Sequence, residues 1–243
     1  MSRVGDINYN SFGSKMEIVK YINSRSVDIY FEEYNWTLYN SRADIFYLGN
    51  IKCPYEPRHY NKGYIGEGKY NSKKYKNIYN SWHDMLRRCY DIEYHKKEPT
   101  YIGCTVCNEW LNFQNFAQWY EENYYEINGE TMALDKDILV KNNKIYSPNT
   151  CVFVPRRINN LFRKTKGVVL SKKLNKYIAQ CSITKNNKKT TQYLGVFNTF
   201  EEAFLTYKKF KENYIKQVAD EYKPYILKKL YDAMYRYEVE ITD

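Results

Sequence analysis

Between residues 5 and 55 apolar and polar positions alternate with a period of two. The pieces "KMEIVKYI" (15–22), "VDIYFEEY" (27–34) and "DIFYLGNI" (44–51) are short, rich in β-branched and aromatic residues, and separated by Asn, Ser and Gly. That pattern predicts strands and a small antiparallel β module over 1–60. The following "CPYEPRHYNKGYIGEGKYNSKK" (53–74) holds three of the ten glycines and two of the six prolines, which predicts a linker. The period then lengthens. In "KNIYNSWHDMLRRCY", Ile78, Trp82, Met85, Leu86 and Cys89 recur every three or four residues, one apolar face of a helix. In "NEWLNFQNFAQWYEENY", Trp110, Phe113, Phe116, Trp119 and Tyr120 do the same, an aromatic stripe that reads as core.

Further on, "GVVLS", "KYIAQCSI" and "TQYLGVF" read as three strands joined by Asn- and Lys-rich turns. A helix then starts at Thr199, with Glu202 three residues on completing a capping box, and Ala203, Phe204, Tyr207 and Phe210 form its apolar face. A three-stranded sheet backed by one helix is the smallest arrangement that buries that face. "PYILKKLYDAMYRYEVE" reads as a closing helix. The fold class expected is α+β: a β module over 1–60, a helical and hairpin core over 75–163, and a sheet-plus-helix module over 164–243.

Charge sharpens this division. The chain of 243 residues carries a net +10, yet Arg156 to Lys229 holds 18 Lys and Arg against 5 Asp and Glu, a surplus of 13 that leaves the remainder at −3. A basic module on a near-neutral body is the electrostatic footprint of a nucleic-acid binder, and double-stranded DNA is the expected partner. The 28 tyrosines suit interfaces and nucleic-acid grooves. They are also what AT-rich codon usage produces alongside Asn, Lys and Ile. No run of eighteen apolar residues and no signal peptide is present, so no membrane partner and a cytoplasmic location are expected. The six cysteines are scattered and expected as thiols. Cys104-Thr-Val-Cys107 has the spacing of half a zinc site, but no second such pair completes it, with Cys89 or Cys151 the remaining completions, and structural zinc is not expected.

Two resemblances add chemistry. Gly167-Val168, "KYIAQCSI", "YLGVF" with Gly195 and Phe197, and "TFEEAFLTYKKF" resemble the APETALA-type DNA-binding domain over about residues 166–215. The resemblance implies a three-stranded sheet in the major groove, with contacts among Lys172, Lys173, Lys176, Gln180, Thr184, Lys188, Lys189 and Gln192, and with Arg156 and Arg157 in the basic segment before it. "WHDMLRRCYD", "YIGCTVCNEWLNFQNFAQW" and "LDKDIL…YSPNTCVFVPRRINNL" resemble the phage-type HNH endonuclease core. This implies a β-hairpin packed on a helix around one divalent metal, Mg²⁺ or Mn²⁺ if the site is active, in a phage-infected or prophage-bearing bacterial host. Carried over, Asp135 is the metal-binding acid, Asn149 the amide that orients the base, and Asn159 or Asn160 the helical amide ligand.

One position departs from that pattern. Where a histidine normally activates water the chain has Lys136, and no histidine follows His95. A lysine at its ordinary pKa near 10.4 is protonated at neutral pH and cannot accept a proton. It could act only if buried and depressed, or as a cation beside the phosphorane, and Asp137 could instead serve as a second acid. Two readings follow: a metal-dependent DNA endonuclease directed by its basic module, or a catalytically inactive DNA-binding regulator or anti-defence protein that engages a host protein.

Overall fold

In the computed structural model, which describes residues 3–163, 165–185 and 188–241, the alternating amino-terminal stretch folds as an antiparallel sheet. Its strands are β1 (Ile7–Tyr9), β2 (Lys15–Asn23), β3 (Ser26–Phe31) and β4 (Trp36–Ser41), neighbours in that order. Period-two alternation puts Met16, Ile18, Ile29 and Phe31 on one face, all fully buried. The predicted third strand, 44–51, is instead helix α1 (Ala43–Tyr47) and a turn. Ala43 and Phe46, three residues apart, both enter the sheet's core with Ile51 and Cys53; a strand would send one of them to solvent.

The expected linker is a packed arm. The buried Glu56 carboxylate accepts hydrogen bonds from Asn10 and Arg58, fastening the arm to the β module. Further along, Tyr64 N–H donates to Leu111 O and Tyr64 O accepts from Phe113 N–H, both at 2.9 Å. The Gln114 side chain accepts from Tyr70 N–H at 3.0 Å and donates to Ile65 O at 3.1 Å. Gly63 is required by proximity: a Cβ there would lie 2.4 Å from Leu86 Cδ1 and 2.8 Å from the Trp82 ring.

The partners of that arm are α2 (Lys76–Tyr90), α3 (Ile92–Lys97), strand β5 (Thr105–Val106), α4 (Asn108–Leu111) and α5 (Phe113–Asn123). The aromatic stripe is core, as its spacing predicts, and it meets the apolar face of α2. Trp82 Nε1 donates to Trp110 O at 2.7 Å, and the Trp110 and Trp119 rings stand 4.5 Å apart. The described residues up to Glu122, with Ile145–Ser147, form one compact unit; the second takes Asn123–Lys144 and everything from Pro148. The boundary runs through the expected 75–163 segment, leaving α2–α5 in the first unit and the hairpin with the helix after it in the second.

The second unit begins with β6 (Met132–Asp135). The chain then returns to the first unit for β7 (Ile145–Tyr146), parallel to β5, before β8 (Val152–Pro155) and α6 (Arg156–Leu161) of the second. Strands β6 and β8 pair antiparallel, from Met132↔Pro155 to Asp135↔Val152. Next are β9 (Val168–Ser171), β10 (Lys176–Lys185), β11 (Lys188–Phe197), α7 (Phe200–Tyr222) and α8 (Lys228–Arg236), with sheet order β11-β10-β9. The turn expected at Asn186-Asn187 lies outside the described residues. The capping box of α7 is present: Thr199 Oγ1 accepts from Glu202 N–H at 3.2 Å, and Glu202 Oε2 accepts from Thr199 N–H at 3.3 Å.

At about 1.5 Å per residue, the 23 residues of α7 span roughly 35 Å. Ala203 and Tyr207 near its start pack under the sheet against Ala179 and Cys181. Ile215, Val218, Ala219 and Tyr222 pack on Val152, Val154, Ile158 and Leu161 of the hairpin and α6, together with Leu230 and Met234 of α8. One helix therefore supplies a wall to both cores. Gly167 fits against it: a Cβ there would meet the Tyr207 ring at 2.4 Å. Gly167→Ala is expected to cost about 1–3 kcal/mol through overpacking. Urea denaturation reads this, and an unchanged midpoint would show that Tyr207 can yield.

Candidate nucleic-acid interface and hairpin site

The sheet β9–β11 is backed by α7 on one side only. Directly opposed residues in an antiparallel pair share a face, so the register assigns each side chain. Ala179 and Cys181 are buried against the helix. The alternate set, Ile178, Gln180, Ser182 and Thr184, opposes Val196, Tyr193, Thr191 and Lys189. On the other flank, Ile178 opposes Val169 and Lys176 opposes Ser171. The free face is therefore a polar strip of Lys176, Gln180, Ser182, Thr184, Lys189 and Thr191 around an exposed Tyr193.

Of the expected contact residues, Lys176, Gln180, Thr184 and Lys189 share this face. Lys172 and Lys173 lie exposed in the β9–β10 turn. Gln192 does not join them, because it opposes Cys181 and so belongs to the helix side. Lys188 alternates with Lys189 and falls on that side too. The cause is a bulge: Ala179 opposes Gly195 but Gln180 opposes Tyr193, so Leu194 is the extra residue. Gly195, at φ 138, was the available signal for it. Tyr193, Ser182 and Thr191 share the face and were not among the expected contacts. Arg156 is exposed, whereas Arg157 is committed internally: its Nη2 donates to Glu221 at 2.7 Å and its guanidinium lies 5.5 Å from the Tyr222 ring centre. Burial opposes the Arg157 charge, but Glu221 and Tyr222 more than offset it and raise the pKa.

The hairpin site is built at the end of β6. Asp135 Oδ1 accepts from Asp137 N–H at 2.9 Å and from Ile138 N–H at 2.8 Å, closing a turn that drives Ile138 into the core. Lys136 is only 7 % exposed. Its Nζ donates to Asp137 Oδ2 at 2.7 Å and to Asn143 O at 3.1 Å, while Asn143 Nδ2 donates back to Lys136 O at 2.7 Å. The residue at the base position is thus an ammonium tying the loop 136–143 shut. Asn149 and Asn160 are exposed and Asn159 is half-buried. No hydrogen bond joins any of the three to Asp135 among the described residues. Asp135, Lys136 and Asp137 come together in this turn.

These residues do not fit a hydrolytic Mg²⁺ or Mn²⁺ centre. A general base must be able to take a proton, and the group in that place is a cation held by a carboxylate and a carbonyl. The sole expected acidic ligand already uses one oxygen for two amides. Among the described residues no group of three or more His, Cys, Asp or Glu gathers as a metal set, and the six cysteines form no disulfide.

Burial, and next the charge of Asp137, push the Asp135 carboxyl above the ordinary carboxylate range; its two amides and Lys136 pull the other way without cancelling this. Because the folded state holds this proton more tightly, the stabilisation is complete below the unfolded pKa and is lost as pH rises through the folded one. Asp135→Asn keeps Oδ1 as acceptor and removes the charge. At pH 7 it should be more stable than the parent by on the order of 1 kcal/mol, with the gap closing towards pH 4. Urea melts at both pH values test this, and a less stable Asn variant at pH 7 would refute it.

Many residues behind the nuclease resemblance are engaged in the first unit's core. Trp82, Met85, Cys89, Trp110 and Phe113 are buried there. Tyr146 is buried and hydrogen-bonded by Arg88, whose guanidinium lies 5.7 Å from the Tyr101 ring centre. No family model, curated protein or solved structure matches this chain.

Proposed function

We propose that this protein binds duplex DNA through the free face of its β9–β11 sheet and that its hairpin is a structural element rather than a hydrolytic site. The observation that carries the reading is the one-sided sheet: α7 covers one face, and the other offers amide, hydroxyl and ammonium donors at strand spacing. A two- or three-stranded ribbon of this kind enters the major groove, where such donors meet base edges and phosphates. The segment's positive surplus supplies attraction to the backbone. No described helix is long and apolar enough to cross a membrane.

Fluorescence anisotropy against a labelled duplex at several salt concentrations tests the binding. If Lys172, Lys173, Lys176 and Lys189 each meet a phosphate, log affinity should fall with log salt at a slope of roughly −3 to −4, about 0.9 per contact. A slope near zero would remove the interface.

Cleavage is the second reading, favoured by one observation: Asp135 is a half-buried acid with Oδ2 free of hydrogen bonds among the described residues. A plasmid-nicking assay in Mg²⁺ and Mn²⁺ separates the two readings. The expected result is no metal-dependent nicking by the parent or by Lys136→His. Nicking that EDTA and Asp135→Ala both abolish would make the hairpin catalytic.

A further inference from the structure

The amino-terminal β module has a cavity of ≈ 580 Å³ lined by three arginines, Arg3, Arg25 and Arg42, with Ser24, Asp44 and Tyr47. They come from separate segments: Arg3 precedes β1, Ser24 and Arg25 form the β2–β3 turn, and Arg42 and Asp44 mark the start of α1. Ala43 N–H donates to Ser24 O at 3.0 Å, which fixes the turn against the helix. Asn23 Oδ1 accepts from Arg25 N–H at 2.9 Å and sets the backbone from which Arg25 projects.

Each charge can be followed. Arg42 Nε and Nη2 donate to Asp44 Oδ1 at 2.9 Å and Oδ2 at 2.5 Å, a two-point pair that neutralises Asp44. Asp6, just outside, accepts the Tyr47 hydroxyl. The Arg3 guanidinium lies 5.2 Å from the Tyr47 ring centre and 5.9 Å from that of Tyr21. One Arg3 N–H group is engaged by the Tyr47 hydroxyl, and the rest of its fork stays available. Neither Arg3 nor Arg25 makes an ion pair among the described residues, so the cavity presents two guanidiniums with N–H groups to spare beside the Ser24 hydroxyl. Leu48, 70 % exposed, supplies an apolar wall at its edge.

We propose that this cavity binds the phosphate of a small nucleotide-like ligand, with Arg3 and Arg25 gripping the anion and Leu48 and Tyr47 flanking the organic group. Guanidinium forks match phosphate oxygens two at a time, and the volume lies in the range of small-ligand pockets, about 300–1,000 Å³. A polyanion is the poorer fit. Outside Arg156–Lys229 the chain is net −3, so this module lacks the broad positive field that draws in nucleic acid.

Isothermal titration of the full chain with AMP, inorganic phosphate and adenosine tests the proposal. AMP should bind saturably, phosphate more weakly, and adenosine not at all. Arg3→Ala/Arg25→Ala should lose AMP affinity at least about tenfold, the least expected from removing charge-assisted hydrogen bonds. Arg25→Lys, which keeps charge without the fork, should fall between. Thermal melting should be unchanged in each variant, since both residues are exposed. Equal binding of phosphate and AMP would keep the anion site and assign it to free phosphate. No saturable binding of either, or undiminished binding by the double variant, would overturn the proposal. So would a loss of duplex-DNA affinity in the double variant without AMP binding, which would assign the arginines to the nucleic-acid backbone.

Discussion

Replacing Lys176, Gln180 and Lys189 together by alanine is expected to weaken duplex-DNA binding about 10²- to 10³-fold without unfolding the protein. Gln180 sits mid-face opposite Tyr193, where a side-chain amide reaches a base edge, worth about 1–3 kcal/mol. The two lysines stand on the same side nearer the strand ends, Lys176 opposite Ser171 and Lys189 opposite Thr184. Their loss should reduce the salt slope by roughly 2, about 0.9 for each phosphate. Both lysines are exposed and Gln180 packs into neither core, so stability should stay within about 0.5 kcal/mol. Lys228→Ala/Lys229→Ala on α8 is the control for general positive charge. Equal losses in the two variants would mean that the sheet face has no special role.

Removing the Lys136 ammonium should have the largest effect on stability. Lys136→Met fills nearly the same volume but leaves Asn143 O without its Nζ donor and Asp137 without its cation. Hydrogen bonds to charged groups are worth about 1.5–3 kcal/mol. The upper half of that range applies on the lysine side, whose side chain is 8 % exposed; Asp137, at 46 %, can rehydrate. A loss of about 2–3 kcal/mol is expected, which for a chain of this length lowers Tm by roughly 4–12 °C. Differential scanning fluorimetry with urea titration reads it. A catalytic lysine held against its preference would give the reverse, a variant as stable as the parent or more so. DNA affinity should be unchanged, since Lys136 lies in the hairpin and not on the sheet's free face.

The regular elements were legible where a side-chain period persisted long enough to define a face. Helix α2 runs Lys76–Tyr90, the stretch whose apolar spacing announced it, and the Thr199–Glu202 box placed the start of α7. The short α1 was not legible: five residues give barely one turn, and "DIFYL" satisfies a strand pattern as well. The arm 53–74 was misread for a different reason. Its glycines suggested freedom, whereas Gly63 is there because Trp82 and Leu86 leave no room for a Cβ. At the sheet face, strand identity was visible but facing was not, since one bulged residue at Leu194 exchanges the sides beyond it. At the hairpin the sequence could name Lys136 as a departure. It could not show the burial or the Asn143 partnership that give the lysine a structural role.

The shared helix α7 sets a limit on how this protein can be taken apart. Its first turns complete the sheet and its later turns complete the hairpin core. A fragment beginning after Phe162 would keep α8 but lose the hairpin and α6 residues that cover Ile215, Val218, Ala219 and Tyr222, and should aggregate rather than fold as an autonomous cassette. Within the whole chain the same continuity makes sheet and hairpin one cooperative foldon. Amide protons along the middle of α7 should exchange with deuterium only when both halves open together, so that loosening the hairpin lowers the protection of the β9–β11 sheet as well.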